Sequence, residues 1–126
     1  MIFDTDVMIW AFRGNRRALK AIDDAADRAI SSVTYMELLQ GVRNKDEMRE
    51  MKKFLSRLSF ATISVTANIS NRAMTIMEET ALRSDLGVCD ALIFATACET
   101  GDVLLSGNKK HFKEVALLNA VEFRPE

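Results

Sequence analysis

Short apolar runs alternate along this chain with longer stretches in which apolar residues recur every three or four positions. Residues 1–3, 29–32, 60–65, 103–105 and 120–123 read as strands, being short and dominated by residues that suit a pleated surface. Helical patterns lie between them. The plainest covers 45–58, where Met48, Met51, Phe54, Leu55 and Leu58 form one stripe and Arg49, Lys52, Lys53 and Arg57 lie off it. The spacing also predicts helices up to Phe12 with a stop near Gly14, over 16–27, and through Tyr35, Leu38, Leu39 and Val42. A long helix starts at Thr66 or Asn68 and runs to about Arg83. A nearly all-apolar one starts at Asp90, covers 91–97 and ends at Gly101; a short one spans 109–115. Strands alternating with helices predict a single α/β domain, 1–126, with a parallel sheet covered on both faces.

The junctions between these elements carry the polar signals. In MIFDTDVMIW, Asp4 and Asp6 interrupt an apolar run at the end of the first strand. Either Asp6 caps the following helix and Asp4 is a turn residue, or the pair belongs to a charged site. Ser32 or Thr34 can cap the third helix, and Glu37 stands three residues beyond Thr34, the spacing of a capping box. In parallel α/β sheets ligands bind outside the carboxyl ends of the strands. Asp4 and Ser106 fall at that edge, and Glu37 and Asp90, each early in a helix, can reach it.

Composition narrows the chemistry. A net charge of -1 means that any phosphate binding uses local patches. Two such clusters flank the edge: Arg13, Arg16, Arg17 and Lys20, and Lys109, Lys110 and Lys113. Cys89 and Cys98 read as reduced thiols of a cytoplasmic protein, and no apolar run is long enough for a membrane helix. Three carboxylates at one rim, Asp4, Glu37 and Asp90, repel one another unless a cation balances them. Hard oxygen ligands suit Mg²⁺ or Mn²⁺, ions that bind phosphate oxygens and activate water.

The stretches DTDVMIWAFRGN, SSVTYMELLQG, CDALIFATACETG and LLSGNKKHF, in that order and spacing, resemble the motif series of PIN domains, above all the VapC-type toxin ribonucleases of toxin–antitoxin pairs. The resemblance covers almost the whole chain. It implies a three-layer α/β/α sandwich and a Mg²⁺- or Mn²⁺-dependent endoribonuclease that is paired with an antitoxin. The helices over 34–42 and 45–58 carry more apolar residues than a small domain buries, which predicts a groove for that partner; the same surfaces, or the helix around Met74 and Met77, would form a homodimer contact. The resemblance assigns Asp4, Glu37 and Asp90 to the first three family acids, and Thr5 and Ser106 to hydroxyl positions beside them. Asp6 reads as a cap or supporting acid and Asn108 as a turn residue leaning into the site. Where relatives often read N-x-x-D-F, this chain has Asn108, Lys109, Lys110, His111 and Phe112, so histidine stands where a fourth carboxylate is often found. That departure leaves a second reading, a PIN-like module that binds RNA or protein without cleaving. A phosphoacceptor receiver domain fits poorly, because the central strand candidate at 60–65 carries no acid.

Overall fold

The computed structural model describes all 126 residues. Five short strands form one parallel sheet: β1 (Ile2–Phe3), β2 (Ala29–Ser31), β3 (Ala61–Ile63), β4 (Leu104–Ser106) and β5 (Ala120–Glu122). Their order across the sheet is β3-β2-β1-β4-β5. The chain thus builds outward from β1 in one direction, then returns to the other side of β1 for β4. The reversal leaves a crevice at the carboxyl ends of β1 and β4, the place where such sheets bind ligands.

Six helices cover the sheet: α1 (Thr5–Phe12), α2 (Arg16–Asp24), α3 (Ser32–Gln40), α4 (Lys45–Arg57), α5 (Ala67–Thr80) and α6 (Val88–Thr100). Side chains alternate across a strand, so adjacent residues feed opposite cores. Ile2 and Leu104 pack with α5 and α6, around Ile69, Ile76, Ile93 and Phe94. Phe3 and Leu105 pack with α1 to α4, around Val7, Met8, Ile22, Leu38, Met51 and Leu55. This is the three-layer α/β/α sandwich. α6 is apolar nearly all round because Ala91, Ile93, Phe94, Ala95, Thr96 and Ala97 are all buried between sheet and α5.

The ends of several elements differ from expectation, each for a local reason. Asp4, not Asp6, caps α1: its carboxylate accepts from Thr5 N at 2.7 Å. Ser31 caps α3 and Thr34 lies buried inside it, so no capping box forms with Glu37. α2 stops at Asp24, where Ala25 turns extended, and α5 stops at Thr80. Gly87 caps α6, which places Asp90 inside its first turn. Thr66 caps α5 through Ile69 N, and Gly101, at φ 69, ends α6, both as expected.

Phe94 is fully buried and meets Phe112 edge-on, with centroids 6.4 Å apart. Phe94→Ala is expected to lower stability by about 3–5 kcal/mol. Leu82→Ala, at a fully exposed position, should change it by less than about 0.5 kcal/mol. Urea denaturation midpoints compare the two.

Candidate active site at the sheet switch point

Asp4 leaves β1 directly into the crevice. Its backbone N–H donates to Leu105 O at 2.9 Å, fixing it against β4. One carboxylate oxygen accepts from Thr5 N and the other from Ser106 Oγ at 2.6 Å. The residue is only 5% exposed. Burial pushes its carboxyl up to about 7, against the Ser106 and Thr5 hydrogen bonds, and the negative charges of Asp6 and Asp90 add to the rise.

Ser106 continues the chain of contacts. Its Oγ also accepts from Asn108 N at 3.0 Å, and Asn108 Nδ2 reaches toward Asp90 Oδ2 at 3.4 Å. Asp90 stands in the first turn of α6, where the helix dipole favours an anion. Glu37 enters from α3: Thr5 Oγ1 donates to its Oε1 at 2.6 Å and lies 3.0 Å from Thr34 Oγ1. Burial raises the Cys89 thiol, with the charges of Glu37 and Asp90 adding, so this thiol lies within the field of both acids. Asp6, in the first turn of α1, accepts from Val7 N and from Gly107 N. Burial raises its carboxyl, and Asp90 adds to that rise.

Asp4, Thr5, Asp6, Asp90, Ser106 and Asn108 thus meet at one rim, with Glu37 joined through Thr5. No three His, Cys, Asp or Glu side chains are drawn into a single clasp around a point. The donor set nonetheless fits a hard divalent ion. It is oxygen-rich, negative and partly buried, and Mg²⁺ keeps several waters and takes only one or two carboxylates.

His111 does not join this rim through its ring nitrogens. It is buried in a 3-10 helix, Lys109–Glu114, with Nδ1 3.0 Å from Glu114 Oε2 and Nε2 3.1 Å from Asp85 Oδ1. Ser84 Oγ stands 3.3 Å from Nδ1 and donates to Glu114. Both ring nitrogens are engaged, so neither is free for a cation; the histidine braces the segment between α5 and α6. Its partners lie on the Ser84–Asp85 segment and one turn ahead at Glu114, and no motif spacing announces them.

The basic residues divide. Lys109 pairs with Glu122, Lys110 with Asp85, and Arg17 donates to the Glu126 carbonyl. Arg13, at the end of α1, and Arg16, at the start of α2, pair with no carboxylate. Beside the rim, a cleft of about 120 Å³ between α1, α3 and α4 is lined by Ile9, Phe12, Leu38, Val42 and Met51, with Arg13 and Glu37 among its polar residues.

The PIN-domain family model matches residues 1–118. The chain belongs to the PIN-domain family. PIN domains are nucleases that generally use divalent metal ions. No curated protein matches the sequence. Among solved structures, a chain of a toxin–antitoxin complex from Klebsiella pneumoniae is 28% identical, with a TM-score of 0.76 and coverage of 99% of this chain and 97% of that one. A chain of VapBC2 from Rickettsia felis, bound to a promoter DNA fragment, is 21% identical, with a TM-score of 0.84 and coverage of 98% and 100%. A chain of FitAcB from Neisseria gonorrhoeae is 19% identical, with a TM-score of 0.77 and coverage of 98% and 96%. The last two share the PIN fold with this chain.

The raised Asp4 carboxyl fixes a sign. Its folded value lies above the ordinary 3.8, so the fold binds a proton that the unfolded chain has released. Its contribution is fully present below about pH 4 and is lost as pH rises through about 7, a difference on the order of 4 kcal/mol. In EDTA, Asp4→Asn is therefore expected to gain stability relative to the parent chain as pH rises from 4 to 8. Denaturant midpoints at several pH values measure that margin, and a margin independent of pH contradicts it.

Proposed function

We propose that this chain is a VapC-type toxin, an endoribonuclease that hydrolyses RNA phosphodiester bonds with Mg²⁺ or Mn²⁺. The observation that carries the reading is the linkage of Asp4 to Asp90 through Ser106 and Asn108, with Glu37 tied in by Thr5, at the switch point of the sheet. Asp4, Glu37 and Asp90 would hold the ion. The ion supplies polarisation of the phosphate and a water of lowered pKa. The chain's own residues do the rest. Ser106 and the Thr5 amide aim the Asp4 oxygens, Asn108 steers Asp90, and Thr5 orients Glu37. Arg13 and Arg16, free of internal partners, are placed to draw the RNA backbone toward the rim.

The partner in this reading is a VapB-like antitoxin. Of the structural relatives, one is described as a toxin–antitoxin complex and another as VapBC2 bound to promoter DNA. The apolar cleft between α1, α3 and α4 suits a segment with apolar side chains, and an arginine entering past Glu37 would neutralise the acids. Exposed Met36, Met74 and Val88 support a homodimer contact, and no helix is long and apolar enough to cross a membrane, which fits a cytoplasmic toxin.

The purified chain should cleave RNA with Mg²⁺ or Mn²⁺ and stop with EDTA. Asp4→Asn and Asp90→Asn should each lower the rate by at least about 100-fold while keeping the far-ultraviolet spectrum. RNA binding without cleavage at any metal concentration would favour a non-catalytic binding module instead. Replacing both Arg13 and Arg16 with Ala should weaken RNA binding and flatten the slope of log affinity against log salt by about two, close to one for each phosphate no longer neutralised. Lys110→Ala, whose amine is already paired with Asp85, should change that slope less.

A further inference from the structure

The end of β4 and the loop leaving it carry two of the site's side chains, Ser106 and Asn108, with Gly107 between them. Ser106 grips Asp4 and Asn108 reaches toward Asp90. The sheet already holds Ser106, whose carbonyl accepts from Phe123 N at 2.8 Å, but Asn108 lies beyond the last paired residue of β4. A further attachment fixes the turn between them. Gly107 N donates to Asp6 Oδ2 at 2.9 Å, and the other Asp6 oxygen is anchored by Val7 N at 2.8 Å. The Asp6 carboxylate is therefore fixed to α1 at one oxygen and holds the loop with the other.

The glycine answers to that carboxylate. A Cβ at position 107 would stand 2.4 Å from Asp6 Oδ2, far inside contact distance, while its next neighbour, Phe123 O, would be at an ordinary 3.5 Å. Gly107 does not adopt a positive φ, so its backbone tolerates a side chain. The obstacle is Asp6, whose carboxylate cannot retreat without releasing Val7 N or Gly107 N.

We propose that Asp6 and Gly107 form a clasp that sets Ser106 and Asn108 over Asp4 and Asp90, with Asp6 acting as a positioning residue rather than a metal ligand. The proposal rests on the reading of Asp4 and Asp90 as the metal-holding acids. It separates the side chains of one rim by what they join: Asp4 accepts from Thr5 N and Ser106 Oγ at the mouth of the crevice, whereas the two Asp6 oxygens tie α1 to the turn after β4 through Val7 N and Gly107 N.

The test is a cycle of Asp6→Ala, Gly107→Ala and the double variant, with Asp6→Asn as the conservative control. Three readouts apply: melting temperature in EDTA, Mn²⁺ affinity by calorimetry, and kcat and KM for RNA cleavage. Gly107→Ala should lower the melting temperature in the parent chain and leave it nearly unchanged in the Asp6→Ala background, because the collision is gone. Asp6→Ala should lower kcat by about 10–100-fold with KM little changed, as supporting residues of metal sites do. Asp6→Asn keeps an acceptor oxygen for Gly107 N and should recover most of that loss. Two results overturn the proposal. Additive effects of Asp6→Ala and Gly107→Ala on melting remove the clasp. Loss of Mn²⁺ affinity in Asp6→Asn as large as in Asp4→Asn makes Asp6 a ligand. A parent chain that binds no Mn²⁺ and cleaves no RNA defeats the proposed function instead, and the melting cycle still decides the clasp.

Discussion

The 2.6 Å hydrogen bond from Ser106 Oγ to Asp4 Oδ2 joins the ends of the two central strands and makes a buried carboxylate tolerable there. Asp4 is almost wholly removed from water, a costly place for an ionisable group. Four features answer that cost. β1 and β4 are in register, so Asp4 N meets Leu105 O and Ser106 falls opposite the carboxylate. α1 begins immediately after Asp4, so the Thr5 amide, which would otherwise be an unpaired donor of the first turn, becomes a ligand for it. The reversal of strand order leaves the crevice open above both. The carboxyl also keeps a raised proton affinity, because the hydrogen bonds do not offset the burial. A packing decision, a capping decision and a topological one converge on a single side chain.

Much of the scaffold could be read from residue order because its signals are local and repeated. The stripe from Met48 to Leu58 can only be a helix with one buried face, and Met51 and Leu55 are indeed its buried members. Strand and helix alternate throughout, and β1 and β4 each place one apolar residue on each face, so the two cores follow from period two. Taken locally, Asp4, Glu37 and Asp90 each fit an ordinary turn or cap position; it is the resemblance of their surrounding motifs to PIN domains that singles them out together.

What could not be read depended on contacts between distant segments. Capping residues are interchangeable in sequence: Asp4 and Asp6 are both acceptable, and only the register of β1 against β4 selects Asp4. Thr34 and Glu37 have capping-box spacing, yet α3 starts earlier because Ser31 reaches Val33 N first. Glu37 is then released to Thr5 on another helix. His111 sits in a motif position, but its orientation is set by Asp85, Ser84 and Glu114, brought together by the turn after α5. The role of Gly107 was equally invisible. A glycine in a loop is unremarkable until the Asp6 oxygen is found where its Cβ would be.

The same field explains why the rim invites positive partners of different kinds. Burial, joined by the charges of Asp6 and Asp90, raises the proton affinity of Asp4; burial and the Asp90 charge raise that of Asp6; and the charges of Glu37 and Asp90 extend the field to Cys89. In the absence of any cation the cheapest response is a proton on Asp4. Under the proposed function a divalent ion would displace that proton and gain more from the field, because it carries two charges. A guanidinium from a partner offers one charge but several directed donors, and can serve only where the cleft lets it approach. Arg13, already lining that cleft near Glu37 and unpaired, opposes a second cation there unless a phosphate or an acidic side chain accompanies it. Under the proposed function, substrate and inhibitor would therefore meet opposite demands at adjoining places: RNA would bring phosphate to Arg13 and rely on a metal at the acids, whereas a protein partner would bring a cation to the acids and an apolar segment past Arg13.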